Sequence, residues 1–245
     1  MVGALLFWVA AGAATADSAV VRRVVDGDSL VLADEREVRL IGVNAPEMGR
    51  DGAPEQPLAR AARTLLASLV EGRKVKLVYE TERHDRYRRI LAHVLFTDAD
   101  GAERSAEEAL LASGLAWMVA IPPNVGWVSR LQVAESEARS AGRGVWVEPR
   151  LAALPVERLG PTTTGFQLVT GTVERLGQSR YAYYFELAPR VTVVVPREDW
   201  ARYFANLGNP DQLVGKAVQV RGWVTPHERG LRLRVGHPAM LTFRD

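Results

Sequence analysis

Residues 26–47 read DGDSLVLADEREVRLIGVNAPE. Asp-Gly favours a tight turn, so Asp26-Gly27-Asp28 predicts a reversal between a strand at 20–25 and a strand at 29–32. Asp34-Glu35-Arg36 predicts a second turn, and 37–43 a third strand. Side chains alternate along a strand. Val38 and Leu40 therefore share one face, while Arg39 shares the other with Ile41 and Val43. An arginine among apolar neighbours needs an anion, either a structural carboxylate or a bound phosphate. Pro46 has no N–H and stops the ladder at Asn44-Ala45-Pro46-Glu47. The acidic turn has two readings, an ordinary hairpin or one side of a site that Arg39 and Glu47 complete.

Working outward, 48–57 is a Gly- and Pro-rich loop, and apolar residues at 58, 61, 62, 65, 66 and 69 have helical spacing. Residues 74–79 alternate as a strand. The charged run 80–88 leads to another strand at 89–96 and a turn at 98–101. Helices are predicted at 105–113 and 130–141, the second with Leu131, Ala134 and Ala138 on one face. Strands interrupted by three helices point to a small α+β barrel, mostly β. Residues 149–165 hold three prolines and the threonines 162–164, which marks a linker.

Beyond the linker, strands are expected at 167–173, 181–187, 191–195, 215–224 and 231–235. A helix at 197–207 carries Trp200, Tyr203 and Phe204 on one side. Three strands, a helix and two strands is the order of an OB-fold. Val214-Gly215-Lys216 through Val220-Arg221-Gly222 resembles OB-folds of the tRNA-anticodon-binding type, which implies a nucleic-acid-binding domain at 166–245. Ten of the 18 aromatic residues lie in this part. Tyr181 with Tyr183, and Arg232 with Arg234, alternate so that a face could present them to DNA or RNA; the same residues could equally fill the barrel and its solvated surface.

Composition sets the bounds. The chain has 245 residues, 47% hydrophobic and 24% charged, as in ordinary globular proteins. Net charge is +2, with the basic excess in residues 161–245. There is no cysteine, which excludes disulfides, thiolate metal sites and cysteine nucleophiles. The histidines at 84, 93, 227 and 237 lack metal-ligand spacing and read as surface or packing residues. The apolar run 3–14 is too short to span a bilayer comfortably, and Ala14-Thr15-Ala16 fits a cleavage site. An export signal at 1–16 is expected, with a secreted or periplasmic product and no stable membrane insertion.

Hydrolysis of a phosphodiester needs charge neutralisation on the phosphoryl oxygens and a positioned, activated water. Hard oxygens such as those of Asp28 suit Ca²⁺ or Mg²⁺. Arginine suits phosphate because its planar fork stays charged and donates two bonds.

The motifs Asp26-Gly27-Asp28-Ser29, 38–47 and 85–92 (DRYRRILA), with 108–116 (EALLASGLA) and 134–146 closing on Gly144-Val145-Trp146, occur in this order. Together they resemble the staphylococcal nuclease (thermonuclease) family over about 19–148. The resemblance implies a five-stranded OB-like barrel with three helices and a Ca²⁺-dependent nuclease acting on DNA and/or RNA. It implies Asp28, Asn44 and the carbonyl of Ala45 as metal ligands, and Arg39 and Arg89 on the phosphate. Glu47 would handle the attacking water, Arg86 and Tyr87 would bind substrate, and Asp26 would lie near the metal without ligating it. Asn44 stands where the family has an aspartate, which removes a negative charge. Residues 120–123 (AIPP) lack the tyrosines that pack a nucleotide in the best-known member. The alternative is a catalytically weak or silent nucleic-acid-binding protein that retains the nuclease fold.

Overall fold

A computed structural model of the chain describes residues 16–49, 52, 54–188 and 190–244. The expected export segment falls on 1–15, outside the described residues, up to its last position. The first half contains β1 (Ala16–Asp26), β2 (Ser29–Leu32), β3 (Glu37–Leu40), β4 (Val43–Asn44), α1 (Ala59–Val70), β5 (Lys74–Val78), β6 (Ile90–Thr97), β7 (Glu103–Ser105), α2 (Ala106–Ala112), β8 (Trp117–Met118) and α3 (Val128–Ser140).

β1 is long and irregular, and this closes the barrel. Its first part, Ala16 to Val20, pairs with β5, and from Val21 onward it pairs with β2. β2 pairs with β3, β3 runs parallel to β6, and β6 returns to β5. The ring is therefore β1-β2-β3-β6-β5-β1, a five-stranded OB-like barrel with three helices, as the resemblance implies. Val24, Leu30, Val38, Leu40, Leu77 and Val94 fill it. α1 buries Ala59, Ala62, Leu66 and Val70, whose small residues at its start let it lie close to the strands.

The expected strand 37–43 breaks in two. Gly42 has φ 80°, a left-handed turn, and a Cβ there would collide with Leu131 of α3. After the turn β4 leaves the barrel sheet and pairs with β8, Val43 opposite Met118 and Asn44 opposite Trp117. α2 is capped by Ser105, whose Oγ accepts the Glu108 N–H at 3.2 Å.

The second half contains β9 (Leu154–Pro155), β10 (Gly165–Thr172), β11 (Arg175–Gln178), β12 (Ala182–Ala188), β13 (Val191–Pro196), α4 (Arg197–Tyr203), β14 (Ala217–His227), β15 (Gly230–Arg234) and β16 (Leu241–Arg244). β10 pairs with β14, and the chain runs through Val173-Glu174 into β11, which pairs with β12. β12 pairs with β13, β13 is parallel to β15, and β15 pairs with β14. If β10 and β11 count as one bent strand, the order repeats that of the first barrel, with α4 again between the third and fourth strands. α4 is shorter than the expected helix 197–207, and 205–207 turn as 3-10 helix. Trp200 and Phe204 stack at 5.0 Å under the barrel. The proline-rich stretch carries β9, which lies parallel to β10.

The two barrels share one hydrophobic core. Trp117 meets Phe166 at 5.3 Å, and the Ala120 N–H points at Met240 Sδ at 3.2 Å. The polar centre of this junction is Arg221 of β14. Its Nη1 donates to Glu135 Oε1 at 2.7 Å and to the Met118 carbonyl at 3.0 Å, while the Met118 N–H bonds the same Glu135 oxygen at 2.7 Å. Both side chains are buried. Among the described residues no helix is long and apolar enough to cross a bilayer.

A second buried cluster lies in the first barrel. His93 stacks on Trp127 at 3.8 Å, and its Nε2 sits 2.8 Å from Glu80 Oε1. Its Nδ1 faces Glu107 Oε1 at 3.6 Å, too long for a good hydrogen bond but close enough for charge to act. Burial pushes the imidazole pKa down. The bonding and charge of Glu107 and Glu80 outweigh that, and the net direction is up from 6.5.

Two outcomes are expected. A group with a raised folded pKa stabilises fully below its unfolded value and loses that contribution as pH rises through the folded one. As pH rises above 6.5, melting temperature should therefore fall more steeply in the parent chain than in His93→Gln. Arg221→Met leaves Glu135 buried without its counter-charge. It should cost about 3–5 kcal/mol, read from the urea midpoint of the whole chain.

Candidate active site

Asp28 is the last residue of the turn before β2, and its side chain is buried. A buried carboxylate must be bonded or it protonates. Its Oδ2 accepts the Ala45 N–H at 2.8 Å and pairs with Arg39 Nη1, and its Oδ1 accepts the Ser29 hydroxyl at 3.0 Å. Arg39 arrives from the adjacent strand, where register places it opposite Ser29. Its Nη2 donates to Asn44 Oδ1 at 3.1 Å. One guanidinium thus bridges the two side chains expected to ligate a metal, and Ala45 is joined to the same group through its backbone.

Arg89 approaches from the other side, immediately before β6. Asp85 holds it, accepting Nε at 2.7 Å on one oxygen and the backbone N–H at 2.9 Å on the other. Arg89 Nη1 reaches the Ser29 hydroxyl at 3.5 Å. Ser29 therefore stands between the two arginines. Arg39 is ion-paired with Asp28, and Arg89 with Asp85. Arg86 and Tyr87 are exposed on the loop before Arg89. The Tyr87 ring lies under both the Arg86 and the Arg89 guanidinium, at 4.8 and 5.6 Å.

Glu47 is exposed, two residues beyond Ala45. Its backbone is fixed by Gln56, whose Oε1 accepts the Glu47 N–H at 2.9 Å and whose N–H bonds the Glu47 carbonyl at 3.0 Å. Asp26 is buried beside Asp28, and its Oδ1 accepts the Asp28 N–H at 3.2 Å. Burial and the neighbouring Asp28 charge push its pKa up to about 6.

Among the described residues no three His, Cys, Asp or Glu side chains are grouped to hold a metal. The candidate donors are one carboxylate, one amide oxygen and one backbone carbonyl. All are hard oxygens with a second lone pair to offer, so the set suits Ca²⁺ by type, with less negative charge than two carboxylates would give.

Ser29, Asp85, Gln56 and Gly27 complete the site and were not assigned by sequence. Ser29 lies inside the quoted motif, and Asp85 sits four residues before Arg89, so both had a local signal. Gly27 did not. A Cβ on it would come within 2.5 Å of Ala45 Cβ and 2.6 Å of Ala62 Cβ.

A family model described as "Staphylococcal nuclease homologue" matches residues 37–148. The chain is 34% identical to the Thermonuclease of Staphylococcus intermedius, over 53% of this chain and 76% of that protein. It is 30% identical to the Thermonuclease of Staphylococcus hyicus, over 51% and 72%. The "Probable endonuclease LCL3" of Phaeosphaeria nodorum is 32% identical over 58% of this chain and 47% of its own length.

Gly27→Ala should wedge the acidic turn away from Ala45 and α1. The expected loss is about 1–3 kcal/mol, as for an overpacked core, measured by denaturant unfolding.

Proposed function

We propose that this chain, which belongs to the staphylococcal nuclease homologue family, is a nuclease that hydrolyses phosphodiester bonds of DNA and/or RNA at the Asp28–Arg39–Asn44 cluster. The observation that carries the reading is the convergence of Arg39 and Arg89 on the Asp28–Ser29 turn from two different strands. Arg39 on the Asp28 carboxylate and Arg89 on the adjacent Ser29 hydroxyl bring two guanidinium forks to one turn, an arrangement suited to a phosphate group that neutralises them. The endonuclease and thermonuclease names of the similar proteins support the same chemistry.

In this reading Arg39 and Arg89 bind the non-bridging oxygens and stabilise charge that grows on them in the transition state. Asp85 positions Arg89 by accepting from its Nε, so the terminal nitrogens, of which Nη1 makes only a long bond to Ser29, face the substrate. Glu47 orients the water and takes its proton as the oxygen bonds to phosphorus; the ester bond then breaks and the leaving oxygen takes up a proton. Its ties to Gln56 fix the Glu47 main chain two residues beyond Ala45. Arg86 and Tyr87 meet the substrate beside the cleaved phosphate. Asp28, Asn44 and the Ala45 carbonyl would hold Ca²⁺, which when bound polarises a phosphoryl oxygen and makes water more acidic. Export belongs to the same proposal, supported by the apolar run 3–14 and Ala14-Thr15-Ala16.

Asn44 favours a second reading, a silent nucleic-acid-binding protein. It replaces a carboxylate with an amide, and ligand charge sets Ca²⁺ affinity. Digestion of single-stranded DNA with millimolar Ca²⁺, and with chelator, separates the two. The expected result is Ca²⁺-dependent hydrolysis, reduced about 10²–10⁴-fold in Arg39→Ala and Glu47→Ala. Asn44→Asp should lower the Ca²⁺ concentration for half-activity by about tenfold, in line with the added ligand charge. Full turnover in the Arg39 and Glu47 variants would refute the site. Hydrolysis that appears with Asn44→Asp alone would favour the silent reading.

A further inference from the structure

The second barrel has an outward face that the nuclease reading does not use. Strand register sets its layout. Tyr184 of β12 stands opposite Val194 of β13, which stands opposite Arg234 of β15. The next row on that face is Glu186, Thr192 and Arg232. The residues between them, Phe185, Leu187, Val193 and Leu233, point inward and are buried, so the aromatic and basic residues of these rows are not the barrel's filling. The alternation expected for Arg232 and Arg234 holds. Tyr183 instead packs edge-on against Trp200, and Tyr184 takes the outer place.

The turn from β11 to β12 extends the face. Ser179 Oγ lies 3.3 Å from the Tyr184 hydroxyl and also accepts the Tyr181 N–H. Tyr181 is 66% exposed, with the Arg180 guanidinium 4.4 Å from its ring centre. At the opposite end, the turn from β14 to β15 presents Arg229, about 17 Å from Arg234 along the strand. Arg232 lies 5.9 Å from the Tyr184 ring.

Charge on the face is complementary to a polyanion. Glu186 is taken by Arg175 through two close bonds, and Asp199 lies 3.9 Å from Arg234, whose side chain stays 73% exposed. Glu228 in the β14–β15 turn is the nearest acidic neighbour of Arg229. The first barrel is met by other strands, through Phe166 and Leu168 of β10 and Arg221 of β14.

We propose that this face, Arg229–Arg232–Tyr184–Arg234–Tyr181, binds single-stranded nucleic acid, with bases on the two tyrosines and phosphates on the arginines. A duplex keeps its bases stacked on one another, whereas a single strand can lay them on exposed rings. The inference extends the nuclease reading by giving the second barrel the task of holding the substrate, but binding itself does not depend on hydrolysis.

The test uses the whole chain in chelator and a fluorescein-labelled oligothymidylate of about 16 nucleotides, the upper end of what one such barrel covers. Anisotropy should show tighter binding to this strand than to a duplex of equal length. Tyr181→Ala with Tyr184→Ala should weaken it about tenfold or more, the effect of losing base stacking. Arg232→Gln with Arg234→Gln should reduce the slope of log K against log salt by about 1.4, two single-strand phosphate contacts. Tyr181→Ala and Arg234→Gln alone change exposed side chains and report on binding even if a double variant unfolds. Parent-like affinity and salt slope in these variants would overturn the proposal, as would a preference for the duplex. Hydrolysis of bis(p-nitrophenyl) phosphate with Ca²⁺ reports separately on the first barrel. Its failure would count against the nuclease reading and leave the binding result standing.

Discussion

The Asp28 carboxylate is the constraint on which the site depends. It is buried, so its charge must be matched inside the protein. The fold does this with three donors from three places: the neighbouring hydroxyl of Ser29, the backbone of Ala45 after β4, and the guanidinium of Arg39 on β3. Each bond also fixes a piece of chain. The carboxylate thus ties the acidic turn, the third strand and the Asn44–Ala45 segment into one unit, and Arg39 passes the tie on to Asn44. Gly27 makes room for it by leaving no side chain between Ala45 and α1.

Much of this could be read in the chain. Alternating strands and the apolar spacing of α1 and α3 are local patterns, and both barrels followed from their order. The site residues were placed by motif, and the structure joins Asp28, Arg39, Asn44 and Ala45 through direct bonds, with Arg89 reaching them by way of the Ser29 hydroxyl at 3.5 Å. What escaped was non-local or steric. The break at Gly42 depends on Leu131, which occupies the space a side chain would need. β8 is two residues long, too short to carry a period, and exists because β4 needs a partner. Arg221 and Glu135 lie 86 residues apart, and neither is preceded by any signal of burial. Glu107 and His93 were hidden for the same reason, since charge alone reads as surface.

The junction between the barrels gives those hidden charges a purpose. Arg221 and the Met118 N–H share Glu135, and Met118 is the partner of Val43 in β4. One strand of the second barrel is therefore two bonds removed from the segment that carries Asn44. A buried ion pair contributes little net stability compared with apolar packing, but it tolerates no slippage, because displacement leaves both charges bare. The joint is accordingly better suited to fixing the barrels in register than to adding strength.

Two bonds, one between backbones and one from the Glu47 N–H to the Gln56 side chain, close a neck between Glu47 and Gln56. Residues 48–55 run between the two ends of that neck. The length of this stretch can change at small entropic cost, about 0.6 kcal/mol for a doubling. Insertions or deletions there would leave the Glu47 main chain held. The neck therefore separates two evolutionary variables, the length of the intervening stretch and the position of the Glu47 backbone, so that one can be altered without disturbing the other.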